Sequence, residues 1–199
     1  MKVLLRLNTL LCLWLLCCTR AQAQVPATIN VPSSAFPDFA TVIDSLNLKG
    51  VGPNGTVITL LPPATVIQAP AGGFHLGSAV LNASTAAKKS ITIRGNGHTI
   101  KAPSGIGSVD GIFFIEGVDY LTIDSLNLAE DNAGNTTDAA RMEWGYALLK
   151  RQQGADYDGC QYVTITRCTV TMDSANKTAV AAGIYAGNHL PGNTTSLTL

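Results

Sequence analysis

Apolar and polar positions alternate in a short stanza that recurs along the chain. It reads Ser90-Ile91-Thr92-Ile93, Tyr120-Leu121-Thr122-Ile123, Tyr162-Val163-Thr164-Ile165 and Ser196-Leu197-Thr198-Leu199. Alternation places the apolar pair on one face of a strand and the threonine on the other. A unit returning at intervals of this size marks a stacked repeat architecture. The second and third copies align without a gap from Gly117–Leu128 onto Gly159–Val170, with Cys160 over Val118 and Cys168 over Leu126. Two polar residues follow each of these stanzas, and a second alternating run follows those. In the first copy the corner is longer, Arg94-Gly95-Asn96-Gly97, before His98-Thr99-Ile100. A third apolar run comes later in each unit: Ile112–Ile115, Tyr146–Leu149 and Gly183–Ala186.

Three short strands per unit, joined by bends, predict an all-β fold: a right-handed parallel β-helix. Equivalent strands then stack about 4.8 Å apart. The expected inward columns are Ile91, Leu121, Val163, Leu197 and Ile93, Ile123, Ile165, Leu199. A β-sandwich is the rival arrangement of many short strands. Loops of unequal length separate the runs, the largest being 131–145 and 151–159. Upstream, Phe36, Phe39, Val42, Ile43 and Leu46 follow a helical rhythm. Pro37 in the first turn and Asp38 at its positive end suit a helix over 36–48. Such a helix would plug the open end of the coil. Gly50, Gly52, Pro53 and Gly55 end it, and Thr56–Leu60 is the expected first strand. The pentapeptide Asp-Ser-Leu-Asn-Leu occurs at 44–48 and at 124–128. Its context predicts a helix end in the first case and a corner plus strand in the second.

The N-terminus changes the picture of where the chain works. Lys2 and Arg6 precede the apolar run Leu7–Cys18, and Ala21-Gln22-Ala23 has the small-x-small form of a signal cleavage site. The expected cut lies between Ala23 and Gln24. The run is too short to span a bilayer. A lipoprotein reading at Cys17 or Cys18 meets bulky Leu16 where a small residue is expected. The domain plan is therefore a signal peptide over 1–23, a segment with the capping helix over 24–55, and β-helix coils over 56–199. The product would be secreted or on the cell surface, with no transmembrane segment in the mature chain. Charged residues are only 13% of the chain and formal charge is zero. Lys2, Arg6 and Arg20 leave with the leader, so the mature chain is slightly acidic, without the basic face of a nucleic-acid binder. Of five cysteines, Cys160 and Cys168 remain. An exported pair suggests a disulfide, but both align with inward apolar positions, where free cysteines act as small hydrophobes.

The helix Phe39–Asp44, the strand Gly55–Leu60 and the coil Ile91–Ile100 resemble right-handed parallel β-helix proteins of the pectin-lyase-like superfamily. Gly117–Asp124 and Met142–Leu148 are similar to large exported bacterial members of that group. The resemblance covers nearly all of the mature chain. It implies export and this fold. It also implies that enzymes built this way cleave acidic polysaccharides, lyases with calcium held by clustered Asp and hydrolases with Asp on adjacent rungs. The chain stops inside its fourth stanza, so it is expected to be the N-terminal part of a longer protein.

Candidate chemistry lies between the strands. The outward column after the stanza reads Arg94, Asp124, Thr166, one carboxylate expected to pair with Arg94. Gly95-Asn96-Gly97-His98 has the residues a tight corner needs, and His98 should face inward or line it. Glu130-Asp131-Asn132 and Asp156-Tyr157-Asp158 offer oxygen ligands that suit calcium, but neither is a full set; no cofactor is expected. The threonine column Thr92, Thr122, Thr164, Thr198 reads as good strand stacking. Five Asn-x-Ser/Thr triplets and three Asp-Ser-Leu/Ala triplets add short glycosylation-like matches. Trp144 and Tyr157, with Glu143, Asp156 and Asp158 beside them, are the expected contacts to a polysaccharide or cell-surface glycan, while Tyr146 and Tyr162 belong to strands. The expectation is an exported, non-catalytic scaffold that binds glycans or adheres. The alternatives are the N-terminal part of a polysaccharide lyase or glycoside hydrolase with its site on later coils, and a purely structural stalk.

Overall fold

The computed structural model describes residues 23–102, 105, 107, 109–131, 137–176 and 181–193. These residues are mostly β, with parallel sheets and two α-helices among them. Its elements are β1 (Thr28–Val31), α1 (Phe39–Lys49), β2 (Thr56–Leu60), β3 (Val66–Gln68), β4 (Phe74–Leu76), α2 (Ala79–Ala86), β5 (Ile91–Arg94), β6 (Thr99–Ala102) and β7 (Gly111–Glu116). There follow β8 (Leu121–Asp124), β9 (Asn127–Glu130), a 3-10 turn at Asp138–Ala140, β10 (Trp144–Leu149), β11 (Arg151–Gln153), β12 (Asp156–Asp158), β13 (Thr164–Thr166), β14 (Val170–Thr171) and β15 (Ala182–Ala186). Three sheets take these strands in rotation, in the orders β1-β2-β5-β8-β13, β3-β6-β9-β14 and β4-β7-β10-β15. Every pairing within them is parallel.

Register carries the stanza into the core. Ile29, Ile58, Ile93, Ile123 and Ile165 stand in one column, and Thr56, Ile91 and Leu121 in the next. Ile58, Ile91, Ile93, Leu121 and Ile123 are fully buried, while Ile165 and Val163, which precedes β13, are half-buried. The threonine column Thr92, Thr122, Thr164 and the column Arg94, Asp124, Thr166 are also in register. Leu197, Thr198 and Leu199 lie outside the described residues, as do residues 1–22 of the expected leader. Each corner is turned by a backbone of positive φ: Asn96 (48°) and Gly97 (82°) in one copy, Ser125 (55°) and Arg167 (55°) in the next two. His98 is buried at the first corner, its Nδ1 2.8 Å from the Gly95 carbonyl. Cys160 and Cys168 are free thiols packed on the core.

At one end α1 covers the interior. Asp38 is its N-cap and accepts the Thr41 N–H at 2.7 Å. The helix therefore starts at Phe39 and not at Phe36, because the capping carboxylate needs an extended backbone. Phe39, Val42, Ile43 and Leu46 face inward. Phe39 begins an aromatic column in the third sheet: 5.3 Å to Phe74, then 6.1 Å to Phe113, then 5.9 Å to Tyr146. The Tyr146 hydroxyl donates to the Leu126 carbonyl at 2.6 Å, so the buried phenol is satisfied.

Several elements depart from the expectations. The first strand is β1, not Thr56–Leu60; Ile29 and Val31 are its inward pair. Helix α2 was not foreseen, because Leu81 is its only buried large apolar residue and no helical period shows. Its signal was Ser78, whose hydroxyl caps the Leu81 N–H at 2.9 Å. The expected loop 151–159 contains the antiparallel hairpin β11–β12. Tyr162 is not a strand residue; it turns the chain at φ 56° and is 69% exposed.

Candidate functional site

A groove of about 690 Å3 runs beside the β11–β12 hairpin. Its walls are Leu148–Lys150 at the end of β10, Tyr157–Gln161 leaving the hairpin, and Ala186–Asn188 after β15. The hairpin exists because Gln152 and Tyr157 face each other across two short strands, closed by Gly154 at φ 65°. A smaller hollow of about 270 Å3 lies against Gln153, Asp156, Tyr157 and Asp158. Tyr157 and Asp158 thus line both concavities. Three of the five expected glycan contacts, Asp156, Tyr157 and Asp158, fall together here.

The floor of the groove belongs to the core. The Cys160 thiol donates to the Ile115 carbonyl at 3.2 Å, and burial pushes its pKa up to about 11. Asp119 accepts the Gln161 N–H at 2.7 Å. Burial raises the Asp119 carboxyl, the Gln161 bond opposes this, and the nearby Asp158 charge adds to the rise. Lys150 and Asp158 supply charges of opposite sign to the walls. The groove can therefore offer an aromatic ring, a carboxylate, an ammonium group and the Gln161 amide to a polar ligand. Next in the chain after Gln161, Tyr162 stacks on Tyr120, ring centroids 4.7 Å apart and planes at 18°. Sequence reasoning assigned Tyr162 to a strand and missed this pair. The signal was the identical placement of Tyr120 and Tyr162 before the two stanzas.

The other two expected contacts do not join the site. Trp144 is fully buried, stacked on Tyr185 at 4.4 Å and 3° and meeting Phe114 edge-on at 6.2 Å. A ring with no exposed surface has no face left for a sugar. Glu143 is also fully buried; its Oε2 accepts the Asp110 N–H at 3.0 Å. Burial raises its carboxyl pKa, and the neighbouring Asp110 charge adds to the shift. Trp144 opens β10 and Glu143 immediately precedes it; Phe114, Trp144, Ala147 and Leu149 form a second small core.

The remaining polar candidates are engaged structurally. Asp124 is held by Arg167, whose Nε donates at 2.7 Å, and not by Arg94 as expected; Arg94 contributes only through its charge. Glu130 accepts the Met142 and Asp173 N–H groups, each at 2.7 Å, and Asp131 pairs with Lys101 at 3.3 Å. Asn132 lies outside the described residues. Among the described residues no group of three or more His, Cys, Asp or Glu side chains is placed to hold a metal ion. A further charged cluster lies on the outer face of the third sheet. His75 Nδ1 is 2.5 Å from Glu116 Oε1 and its Nε2 is 3.2 Å from the Gly72 carbonyl. Glu116 Oε2 lies 3.8 Å from Arg151, and the imidazole stacks on Phe114 at 4.5 Å.

Fold and site define a class: a mostly β protein of parallel sheets with a polar groove beside a hairpin. Comparison with protein-family models, curated proteins and solved structures gives no match. No helix among the described residues is long and apolar enough to cross a membrane.

Proposed function

We propose that the three sheets are the walls of a right-handed parallel β-helix of the pectin-lyase-like kind, and that it is an exported, non-catalytic scaffold that binds glycan in the groove beside the hairpin. Strands that return to three sheets in rotation support the coil, and parallel crossovers are right-handed in about 98% of cases. The observation that carries the function is the groove of about 690 Å3 with Tyr157 and Asp158 on its wall. An aromatic face and a few polar groups on a loop held by a rigid frame are the means by which sugars are gripped. The carboxylate of the outward column, Asp124, is bonded by Arg167 and Ser125, which favours structure over catalysis.

The test is a panel of immobilised neutral and acidic polysaccharides, probed with the chain and with its Tyr157→Ala variant. Binding to at least one glycan, weakened about tenfold or more in the variant, supports the reading; a verified folded chain that binds none removes it. Export is tested separately. Sequencing the N-terminus of protein recovered outside producing cells should give Gln24 first.

A further inference from the structure

We propose that the outer edge of β3, with the apolar groove under it, is a strand-addition site for an extended segment of a partner polypeptide. The reasoning starts from the hydrogen bonds of a parallel ladder, in which alternate residues of a strand bond to one side. Thr65 accepts the Thr99 N–H, and the Ala69 N–H donates to the Lys101 carbonyl. The residues turned toward β6 are therefore Thr65, Ile67 and Ala69. The N–H and C=O groups of Val66 and Gln68 point the other way. Strand β3 ends its sheet, and among the described residues no strand pairs with that edge. Val66 is 58% exposed.

The first circuit of the chain explains the open position. Strand β1 lies under β2, but Pro32–Asp38 and then α1 follow it, where later circuits place second and third strands. Helix α1 covers β4, with Phe39 on Phe74. Among the described residues nothing equivalent lies under β3. What remains there is a groove of about 420 Å3, walled by Val31, Pro32, Phe39, Leu60 and Phe74, with the whole of β3 along one side. Unpaired strand groups and an apolar trough thus share one line. This is what an extended peptide requires: main-chain bonds for affinity and a pocket for alternate side chains. Asp38 stands on the rim, and the Thr41 N–H it accepts holds its carboxyl below the usual range. The segment that fits is four or five residues long, alternately apolar, with a basic residue at one end. This surface is separate from the glycan groove and does not depend on it.

A fluorescent Lys-Val-Thr-Val-Thr-Val-Lys peptide, titrated into the full chain by anisotropy, is the probe. Saturable binding is expected, with slowed hydrogen exchange at the Val66 and Gln68 amides. Val66→Pro removes an outward N–H and spares the β6 ladder, because proline is tolerated on an edge facing away from its partner. It should weaken binding about tenfold, the equivalent of one backbone hydrogen bond. A peptide N-methylated at alternate residues should lose binding to the unaltered chain, a control that needs no protein variant. No saturable binding, or binding indifferent to both changes, overturns the proposal. So does concentration-dependent dimerisation that protects the same amides without peptide, which assigns the edge to a second copy. Protection in the free chain that disappears when residues 1–23 are removed overturns it in favour of the leader.

Discussion

Trp144 opens β10 and Tyr157 sits in the middle of β12, and their surroundings are opposites. Trp144 lies on the outer face of the third sheet, with Tyr185 against one face and Phe114 at its edge. Tyr157 lies on a two-stranded hairpin, half-buried between two hollows. Parallel stacking makes the difference. The equivalents of Trp144 in the strands above and below are the small residues Gly111 and Ala182, and the rings that close over the indole, Phe114 and Tyr185, stand in register with Ala147 on the same strand. A hairpin that leaves the stack has a partner on one side only. Phe74, Phe113, Phe114, Trp144 and Tyr146 on the stacked strands are buried, whereas Tyr157 on the hairpin is only half-buried.

The largest effect that tests this contrast is Trp144→Ala. Removing a fully buried indole should cost about 3–5 kcal/mol. At about 2–4 °C per kcal/mol for a chain of this size, the melting temperature should fall by about 6–20 °C. A loss under about 1 kcal/mol in a denaturant titration would place Trp144 with Tyr157, and the contrast would fail.

The repeat explains why the sheets were legible and these side chains were not. Alternation in Ile91–Ile93, Leu121–Ile123 and Val163–Ile165 fixes which residues face inward, and the gapless alignment of two copies fixes the register of Ile165 on Ile123. Context alone separated the two Asp-Ser-Leu-Asn-Leu segments into helix α1 and the β8–β9 corner. Trp144 shows no such period, since it precedes the alternating part of its strand, and only the placement of Tyr185 on the neighbouring strand β15 reveals that it is covered. The ion pair of Asp124 was misassigned for a related reason. Arg94 and Asp124 are neighbours in register, yet Arg167, at a corner of positive φ, reaches the carboxylate with two nitrogens. Strand β1 and helix α2 are short and bury few residues, so neither has enough periodic positions to stand out. The groove is legible only in part: Tyr157 and Asp158 were identified, while Lys150, Cys160, Gln161 and Asn188 come from segments that meet through the stacking.

The next effect asks how far the packed region reaches toward the hairpin. Cys160 lines the groove, yet burial pushes its pKa up to about 11 from an ordinary 9.0. Two pH units correspond to about a hundredfold less thiolate, and the thiolate is the reactive form. In a Cys168→Ala chain at pH 8, iodoacetamide should therefore modify Cys160 about a hundredfold more slowly when folded than in urea. Equal rates would mean that the groove floor is open and that the packed region stops at β10.

His75 marks the other limit of the covered face, through its stack on Phe114. Its bond to Glu116 raises its pKa above 6.5, against the opposing effect of burial. The Glu116 charge and the Gly72 carbonyl add to the rise, and Arg151 faces the same carboxylate from the hairpin. A group whose folded pKa is raised gives stability that is complete below its unfolded pKa and is lost as pH rises through the folded value. Unfolding free energy should therefore decline from about pH 6 upward through the raised His75 value, and Glu116→Gln should flatten that decline. A decline of equal slope in both chains would assign it to another group and detach His75 from the packed face.

The smallest effect on stability is expected from Tyr157→Ala, and its smallness is what the contrast requires. The ring sits on a hairpin outside the three parallel sheets, paired only with β11 and bordered by solvent on two sides. Surface substitutions away from caps, cores and networks usually stay within about 0.5 kcal/mol, so the melting temperature should move by no more than about 2 °C. Binding of any glycan retained by the unaltered chain should fall at the same time by about tenfold or more. The two readouts must separate: stability kept with affinity lost marks a ring that serves a ligand. Stability and affinity lost together would mean that the hairpin is part of the packed body after all, with Tyr157 holding the groove in shape and the contacts to glycan passing to Asp158, Lys150 and the exposed Tyr162.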